Sequence, residues 1–382
     1  MYIKLLNYVL EVICTFSYDS ISELLRKKNL GLDVNDELVS RKLNVVKVGL
    51  KGIHGEDLIY TSTGNIRNKL DTLSNLYKKV LNNDLVIPKE TILIEGYYSA
   101  TIEGARTTVD YVKKCFSNPK GKDEKMVVNT YKALGYMHGK DIACEDVLLK
   151  VWSIIVRGVC ENEKSRGNKY RSGMVYVGNS SKVIHTPPEP DEIQRYMNSL
   201  YKYIRKGDTC TFQDCLIKSI IGHFYLVYVH PMCDGNGRLA RLLMLSLLCR
   251  EGFTNVLNLS VSKSIEESIS GYYRSILVSE ERLSLDGFNV LDVTPFIVYM
   301  LDVFERSLLV YSMFKDTILT TKESVVITKM KRKGIHSEIT VAKCSRMLKI
   351  SESSSRNILN SLTEKNVLGK KRVGRKNIYW LL

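Results

Sequence analysis

Residues 230–241 read His-Pro-Met-Cys-Asp-Gly-Asn-Gly-Arg-Leu-Ala-Arg, between two apolar runs, Asp214–Val229 and Leu242–Cys249. The flanking runs predict buried helices, and the polar segment predicts a tight loop opening into the second of them. A glycine-rich loop at a helix N-terminus presents backbone N–H groups and a positive dipole end, the physical requirements of an anion site. Arg238 and Arg241, three residues apart, would project from the same first turn. The segment therefore reads as a holder for a polyphosphate beside a base, His230, and a metal-ligating carboxylate, Asp234. Asp-Gly-Asn-Gly by itself is an ordinary turn signal. A calcium loop fails, because placing Asp234 third and Asn236 fifth puts Met232 first and Leu243 twelfth, where acidic ligands belong. A Walker loop fails because no Gly-Lys-Ser/Thr follows.

The whole dodecapeptide resembles the signature of the Fic family, His-Pro-Phe-x-Asp/Glu-Gly-Asn-Gly-Arg-x-x-Arg. The one departure is Met232, where the family usually carries Phe; Met is similarly apolar and adaptable, so a packing change is expected. Further stretches are similar to the family's β-hairpin flap (Gly167–Arg171, Val175-Tyr-Val-Gly, Pro187-Pro188) and to its downstream helices (Gly271-Tyr-Tyr-Arg, Asp292-Val-Thr-Pro-Phe). The resemblance implies a Fic-type helical core with a β-hairpin flap; with a mixed N-terminal region and a C-terminal winged helix-turn-helix, read from their own residues below, the expected fold is mainly α.

It also implies transfer of AMP from ATP to a Ser, Thr or Tyr hydroxyl of a protein, with the chain itself among the candidate targets. His230 would be the general base, a role suited to an imidazole. Asp234 would hold Mg²⁺ against the phosphates. Gly235, Asn236 and Gly237 would cradle the phosphates through backbone N–H groups and the Asn amide. Arg238 and Arg241 would neutralise the β- and γ-phosphates. Gly237 favours AMP transfer over kinase chemistry, because relatives with Lys there bind the nucleotide reversed. Asn129, Tyr272 and Tyr273 are expected to line the nucleotide pocket, on the resemblance alone.

A second stretch, Ser99-Ala-Thr-Ile-Glu103-Gly104, resembles the family's inhibitory pattern. The preceding residues predict a helix with Ser99 and Glu103 on one face. The resemblance implies that Glu103 pairs with Arg241 and claims the guanidinium that ATP needs. It also implies a place for Glu103 in removing AMP, and a homodimer as a way to brace the helix. His223, two helical turns before His230, reads as a hydrogen-bonded core histidine. His54, His138, His185 and His336 show no metal-ligand spacing.

The chain has 382 residues, 44% hydrophobic, with a formal net charge of +15. That length predicts two or three domains with an ample core. They are drawn at residues 1–88, at a catalytic core 89–316 whose inhibitory helix covers about 89–104, and at 317–382. Nine cysteines without a Cys-x-x-Cys favour reduced thiols and a cytoplasmic location; Cys233, inside the signature, receives no role. The apolar stripe from Met1 to Phe16 contains Lys4 and Glu11 and lacks a small-residue cleavage site, so neither a signal nor a membrane span is expected. Short strands are expected around Val45–Gly49 and Leu58–Thr61, then a helix with the stripe Ile66, Leu70, Leu73, Tyr77, Val80 and Leu81. Residues 117–125 read as a solvated loop.

Beyond about residue 317, helical patterns at 321–332, 339–348 and 352–363 precede a basic strand–turn–strand, and together they resemble a winged helix. The second helix of such a pair enters DNA, here Glu352–Thr363, while Lys370, Lys371, Arg372, Arg375 and Lys376 would sit on the wing. The net charge favours an acidic partner, although winged helices also dock proteins and the first turns of this helix are Ser-rich with only Arg356. The alternative to the enzyme is thus a DNA-binding regulator whose core senses nucleotide.

Overall fold

The computed structural model describes residues 21–80, 89–160, 169–179, 182–205, 211–285, 287–314, 321–332, 338–365, 367–374 and 376–381. Expectations for Met1–Phe16, Leu81, Gly167 and Arg375 lie outside them. The chain divides into two compact units, Met1–Tyr77 with Lys89–Ser307 and Lys78–Pro88 with Leu308–Leu382.

The centre of the larger unit is the helical pair predicted around the signature. Helix Phe212–Val229 begins with a capping box in which Thr211 and Asp214 satisfy each other's backbone N–H groups. It is buried along almost its whole length, with Phe224, Leu226 and Val229 fully enclosed. Helix Asn236–Arg250 packs against it and is equally buried from Arg238 to Leu248, mostly with leucines. Helices that are hydrophobic all round belong inside a helical core, and here they are walled by Lys89–Ile102, Lys122–Met137 and Glu145–Ile155. The helix containing Lys122 starts where a loop was expected. Asp123 and Glu124 lie in its first turn and complement its dipole, so the solvated stretch ends at Gly121.

Two strands near the N-terminus, β1 (Val45–Lys51) and β2 (Asp57–Thr61), pair antiparallel at the expected places. The flap is a two-stranded ribbon, β3 (Val177–Asn179) and β4 (Lys182–His185). A hairpin that sequence reading had not anticipated follows helix Ile269–Ser279: β5 (Arg282–Leu285) and β6 (Phe288–Asp292). β2 pairs with β6 in parallel, Leu58 opposite Leu291, giving the sheet order β1-β2-β6-β5. Asp292 therefore ends a strand and is not helical. Its Oδ1 accepts from the Thr294 N–H, and the helix starts at Thr294.

The smaller unit carries helices Thr321–Arg332, Val341–Leu348 and Glu352–Glu364, with a sheet of β7 (Glu338–Thr340), β8 (Leu368–Val373) and β9 (Lys376–Leu381) in the order β7-β9-β8. Its core joins Val326, Ile339, Leu359, Leu362, Leu368 and Tyr379. The three helices and the closing strand pair appear in the order that the sequence predicts for this segment. The middle helix starts two residues later than expected, because Ile339 and Thr340 pair with β9 and Thr340 caps the helix. On β8, Lys371 pairs with Glu338 at 3.0 Å, and Lys370 bonds Asn360 at 2.9 Å, so both cations have partners within the unit.

Among the described residues, no helix is long and apolar enough to cross a membrane. Phe224→Ala, which removes a fully buried ring stacked on Tyr228 and touching Phe296, is expected to cost about 3–5 kcal/mol. A urea melt followed through the larger unit checks it; an unchanged midpoint contradicts the packing described.

Candidate functional site

The turn between the two central helices depends on two left-handed residues. His230 closes the first helix at φ 49°, and Gly235 opens the second at φ 80°. Gly235 is required there: a Cβ would strain the backbone and meet Ile155, Val156 and Arg238 at 3.3–3.4 Å. The loop is held from inside. Asn236 accepts from the Met232 N–H at 2.9 Å and donates to the Met232 carbonyl at 2.8 Å. Its amide thus braces the loop with its oxygen and one of its two N–H groups. Met232 is fully buried, as a Phe replacement should be.

The Nδ1 of His230 lies 3.2 Å from the Val227 carbonyl. A carbonyl only accepts, so the proton is on Nδ1 and the Nε2 lone pair is left bare. Burial pushes the imidazole down to about 4; the Val227 contact and Glu103 oppose that shift, while the charges of His185 and Arg171 add to it. The ring is therefore neutral at physiological pH.

Arg238 and Arg241 emerge from the first two turns of the second helix, and each is 1% exposed. Arg241 donates from Nε to Ser99 Oγ (2.9 Å), and from Nη2 to the Ser99 carbonyl and Glu103 Oε1 (2.8 Å each). Glu103 follows the end of helix Lys89–Ile102, and Gly104 at φ 89° turns the chain away. The Glu103 carboxylate lies over the start of the second helix: a Cβ on Gly237 would come within 2.1 Å of it. A carboxylate thus already occupies the anion-attracting end of this helix. Arg238 is less well served. It donates to the Ile155 carbonyl at 3.3 Å and faces Asp234 Oδ1 at 3.5 Å. Burial holds its guanidinium below the ordinary value, with Asp234 and Glu103 opposing. Among the described residues, Arg238 Nε and Arg241 Nη1 are buried without a hydrogen-bond partner. Two buried cations with unused donors at a helix N-terminus call for a larger anion.

Asp234 stands 40% exposed at the mouth of the site. Among the described residues, no group of three or more His, Cys, Asp or Glu side chains is placed to hold a metal. Tyr272 is buried, with its hydroxyl 2.8 Å from His223 Nε2, and it faces Arg241. Tyr273 is half-exposed and donates to the Ile102 carbonyl at 3.3 Å. Asn129 does not offer its amide N–H groups to a pocket; both go to the carbonyls of Ile155 and Arg157. His223 is the buried core histidine expected, with burial holding it far below its ordinary value.

Four residues that frame the site received no site role from the sequence. Trp152 Nε1 donates to the Asp234 carbonyl at 2.9 Å. Arg171 donates to the carbonyls of His230, Gly173 and Pro188, tying the flap's approach to the signature loop. At the flap's far end, His185 Nε2 donates to the Tyr228 carbonyl at 2.7 Å, and its Nδ1 lies 3.1 Å from Glu280. Glu95, two helical turns before Glu103, is buried and accepts from Ser262 N and Oγ. The only available signals were charged residues in apolar surroundings, such as Glu95 within Ile92–Tyr98.

Residues 144–248 match the model of the Fic/DOC family. The chain is 26% identical over 230 residues to "Protein adenylyltransferase Fic" of Drosophila melanogaster, covering 58% of this chain and 42% of that protein. It is 27% identical over 177 residues to the protein of the same name in Nematostella vectensis, covering 44% and 40%. The chain thus spans less than half the length of these curated relatives. Among solved structures, it is similar to a Fic family protein from Desulfovibrio desulfuricans G20, with TM-score 0.57, 22% identity, and 85% of this chain and 97% of that one covered. At that identity the likeness is one of fold.

His230 is expected to titrate near pH 4 with Nδ1 protonated above that pH, as read by ¹⁵N NMR of the imidazole. Its folded value lies below the unfolded one, so the unfolded chain binds more protons between about pH 4 and 6.5 and stability falls as pH drops through that window. A titration midpoint between 6 and 7 would contradict the burial described.

Proposed function

Residues 144–248 match the Fic/DOC family model, and we propose that the chain is a member of that family and a protein adenylyltransferase, moving AMP from ATP to a side-chain hydroxyl of a protein. The observation that carries the reading is the pair of buried, incompletely satisfied guanidinium groups beside a neutral imidazole whose Nε2 is bare. The backbone N–H groups of Gly235–Gly237 and the two arginines bind the phosphates. Arg238 supports the bridging region and Arg241 the terminal phosphate, so negative charge developing on pyrophosphate meets preorganised cations. Nε2 of His230 takes the proton of the target hydroxyl as its oxygen bonds to the α-phosphorus and the bond to pyrophosphate breaks. The low basicity of His230 keeps it in the proton-accepting form.

Asp234 fits as the protein ligand of Mg²⁺, since that ion takes few carboxylates and fills its shell with phosphate and water oxygens. Bound there, the ion would neutralise phosphate charge; Trp152 holds the Asp234 backbone for it. The flap, secured through Arg171 and His185, would present the target by strand addition, a mode in which main-chain hydrogen bonds carry affinity.

In the arrangement described, Glu103 holds the guanidinium that the terminal phosphate needs, at 2.8 Å, and its carboxylate overlies Gly237. The proposed ground state is therefore inhibited, and the same carboxylate is placed to orient a water for removing AMP. Glu103→Gly is expected to raise labelling by roughly ten- to a hundredfold, and His230→Ala in that background to lower it by about 10²–10⁴-fold. Intact mass after incubation with ATP and Mg²⁺ reads both: an AMP adduct on Glu103→Gly, absent from the double variant. Equal labelling of the two variants overturns the assignment, and no labelling of Glu103→Gly, even with added cell lysate, overturns the transfer reading.

A further inference from the structure

The signature loop contains a residue that the proposed chemistry leaves unused. Cys233 lies between Met232, pinned on both backbone groups by Asn236, and Asp234, pinned at its carbonyl by Trp152. Its sulfur is 3.9 Å from the sulfur of Cys160. Cys160 is itself held: it follows helix Glu145–Ile155 through Gly158 at φ 64°, and its N–H donates to the Val156 carbonyl at 3.3 Å. Two thiols are thus brought into contact by two backbone segments fixed independently of them, one being the loop that would hold the phosphates. Both are partly exposed, so a small oxidant reaches them.

We propose that Cys160 and Cys233 are a peroxide-sensitive dithiol whose oxidation to a disulfide distorts the phosphate loop and stops transfer. The consequence for transfer rests on the adenylyltransferase reading; the bond itself does not. In this scheme Cys160, whose neighbour Arg238 is a buried cation, is the first thiol to react. The Cys160 sulfur attacks one oxygen of hydrogen peroxide, the O–O bond breaks, and hydroxide leaves with a sulfenic acid formed; that hydroxide takes up the proton released by Cys160. The Cys233 sulfur then attacks the sulfenic sulfur, an S–S bond forms, and water leaves with the Cys233 proton. In sum, two thiols and one peroxide give a disulfide and two waters, sulfur being oxidised and peroxide oxygen reduced.

Closure requires the sulfurs to move about 2 Å closer, since a disulfide is about 2.05 Å long. Cys160 follows a helix end and Cys233 adjoins Asp234, so the loop must take up much of that movement beside the carboxylate and the Gly235 turn. Displacements of that size in a positioning element cost about a hundredfold in rate. Cys249 makes a natural contrast: burial pushes its thiol up to about 12, and it should stay reduced.

The test uses the full chain carrying Glu103→Gly, and the same chain with Cys160→Ser or Cys160→Ala added. Each is treated with hydrogen peroxide, split, and one half is re-reduced with dithiothreitol. Unreduced peptide mapping should show a cross-link joining Cys160 to Cys233 with loss of two hydrogen atoms. AMP labelling should fall about a hundredfold and return on reduction. Both Cys160 variants should keep their labelling through the peroxide step. Absence of the cross-link, undiminished labelling of the cross-linked protein, or equal peroxide loss in the Cys160 variants would each overturn the proposal. A reduced parent that never labels overturns the transfer reading instead, while the mapping still decides the bond.

Discussion

Arg241 is almost wholly out of water, and an ion so placed costs several kcal/mol unless its donors find acceptors and its charge a partner. The end of helix Lys89–Ile102 meets that requirement. Ser99 supplies a hydroxyl and a carbonyl, and Glu103 supplies the charge. To deliver all three, helix Lys89–Ile102 must cross the start of the signature helix closely enough that Gly237 has no room for a Cβ. Close approach also accounts for Gly96 in the same helix, where a Cβ would meet the Tyr131 backbone N at 3.1 Å. Removing Glu103 would leave a buried cation to be satisfied by something else, and a phosphate is suited to that place.

Arg238 presents the same problem left partly unsolved. Its anionic neighbour, Asp234, is 3.5 Å away and faces solvent, so its charge is incompletely balanced. That imbalance favours an anion in the cradle. His230 responds in the opposite sense. It is buried beside cations, and it loses its proton early. One buried electropositive site therefore holds both a neutral imidazole and two guanidinium groups with unused donors.

Much of this was legible in the chain. The signature, its two flanking helices, the Ser99–Glu103 spacing and the three C-terminal helices appear close to where sequence reading puts them. The features left unread share a cause. The part Asn236 plays in bracing the loop was not read, because its approach to Met232 exists only once the turn has formed. The β5–β6 hairpin was missed because its partner, β2, lies more than two hundred residues earlier. Trp152 and Arg171 act on backbone carbonyls, and carbonyls leave no mark in a sequence.

By itself, then, the sequence determined what short segments encode: apolar periods that make helices, glycines at left-handed turns, and a string of groups chemically suited to anions. Tertiary structure alone decided which of those groups are spent and which are available. It braced the loop with the Asn236 amide, put the proton of His230 on Nδ1, laid Glu103 over Gly237, and brought the sulfurs of Cys160 and Cys233 to 3.9 Å. The physical reason is that side-chain type sets what a group is able to bond, whereas burial and distance set what it does bond, and both arise only when remote segments pack.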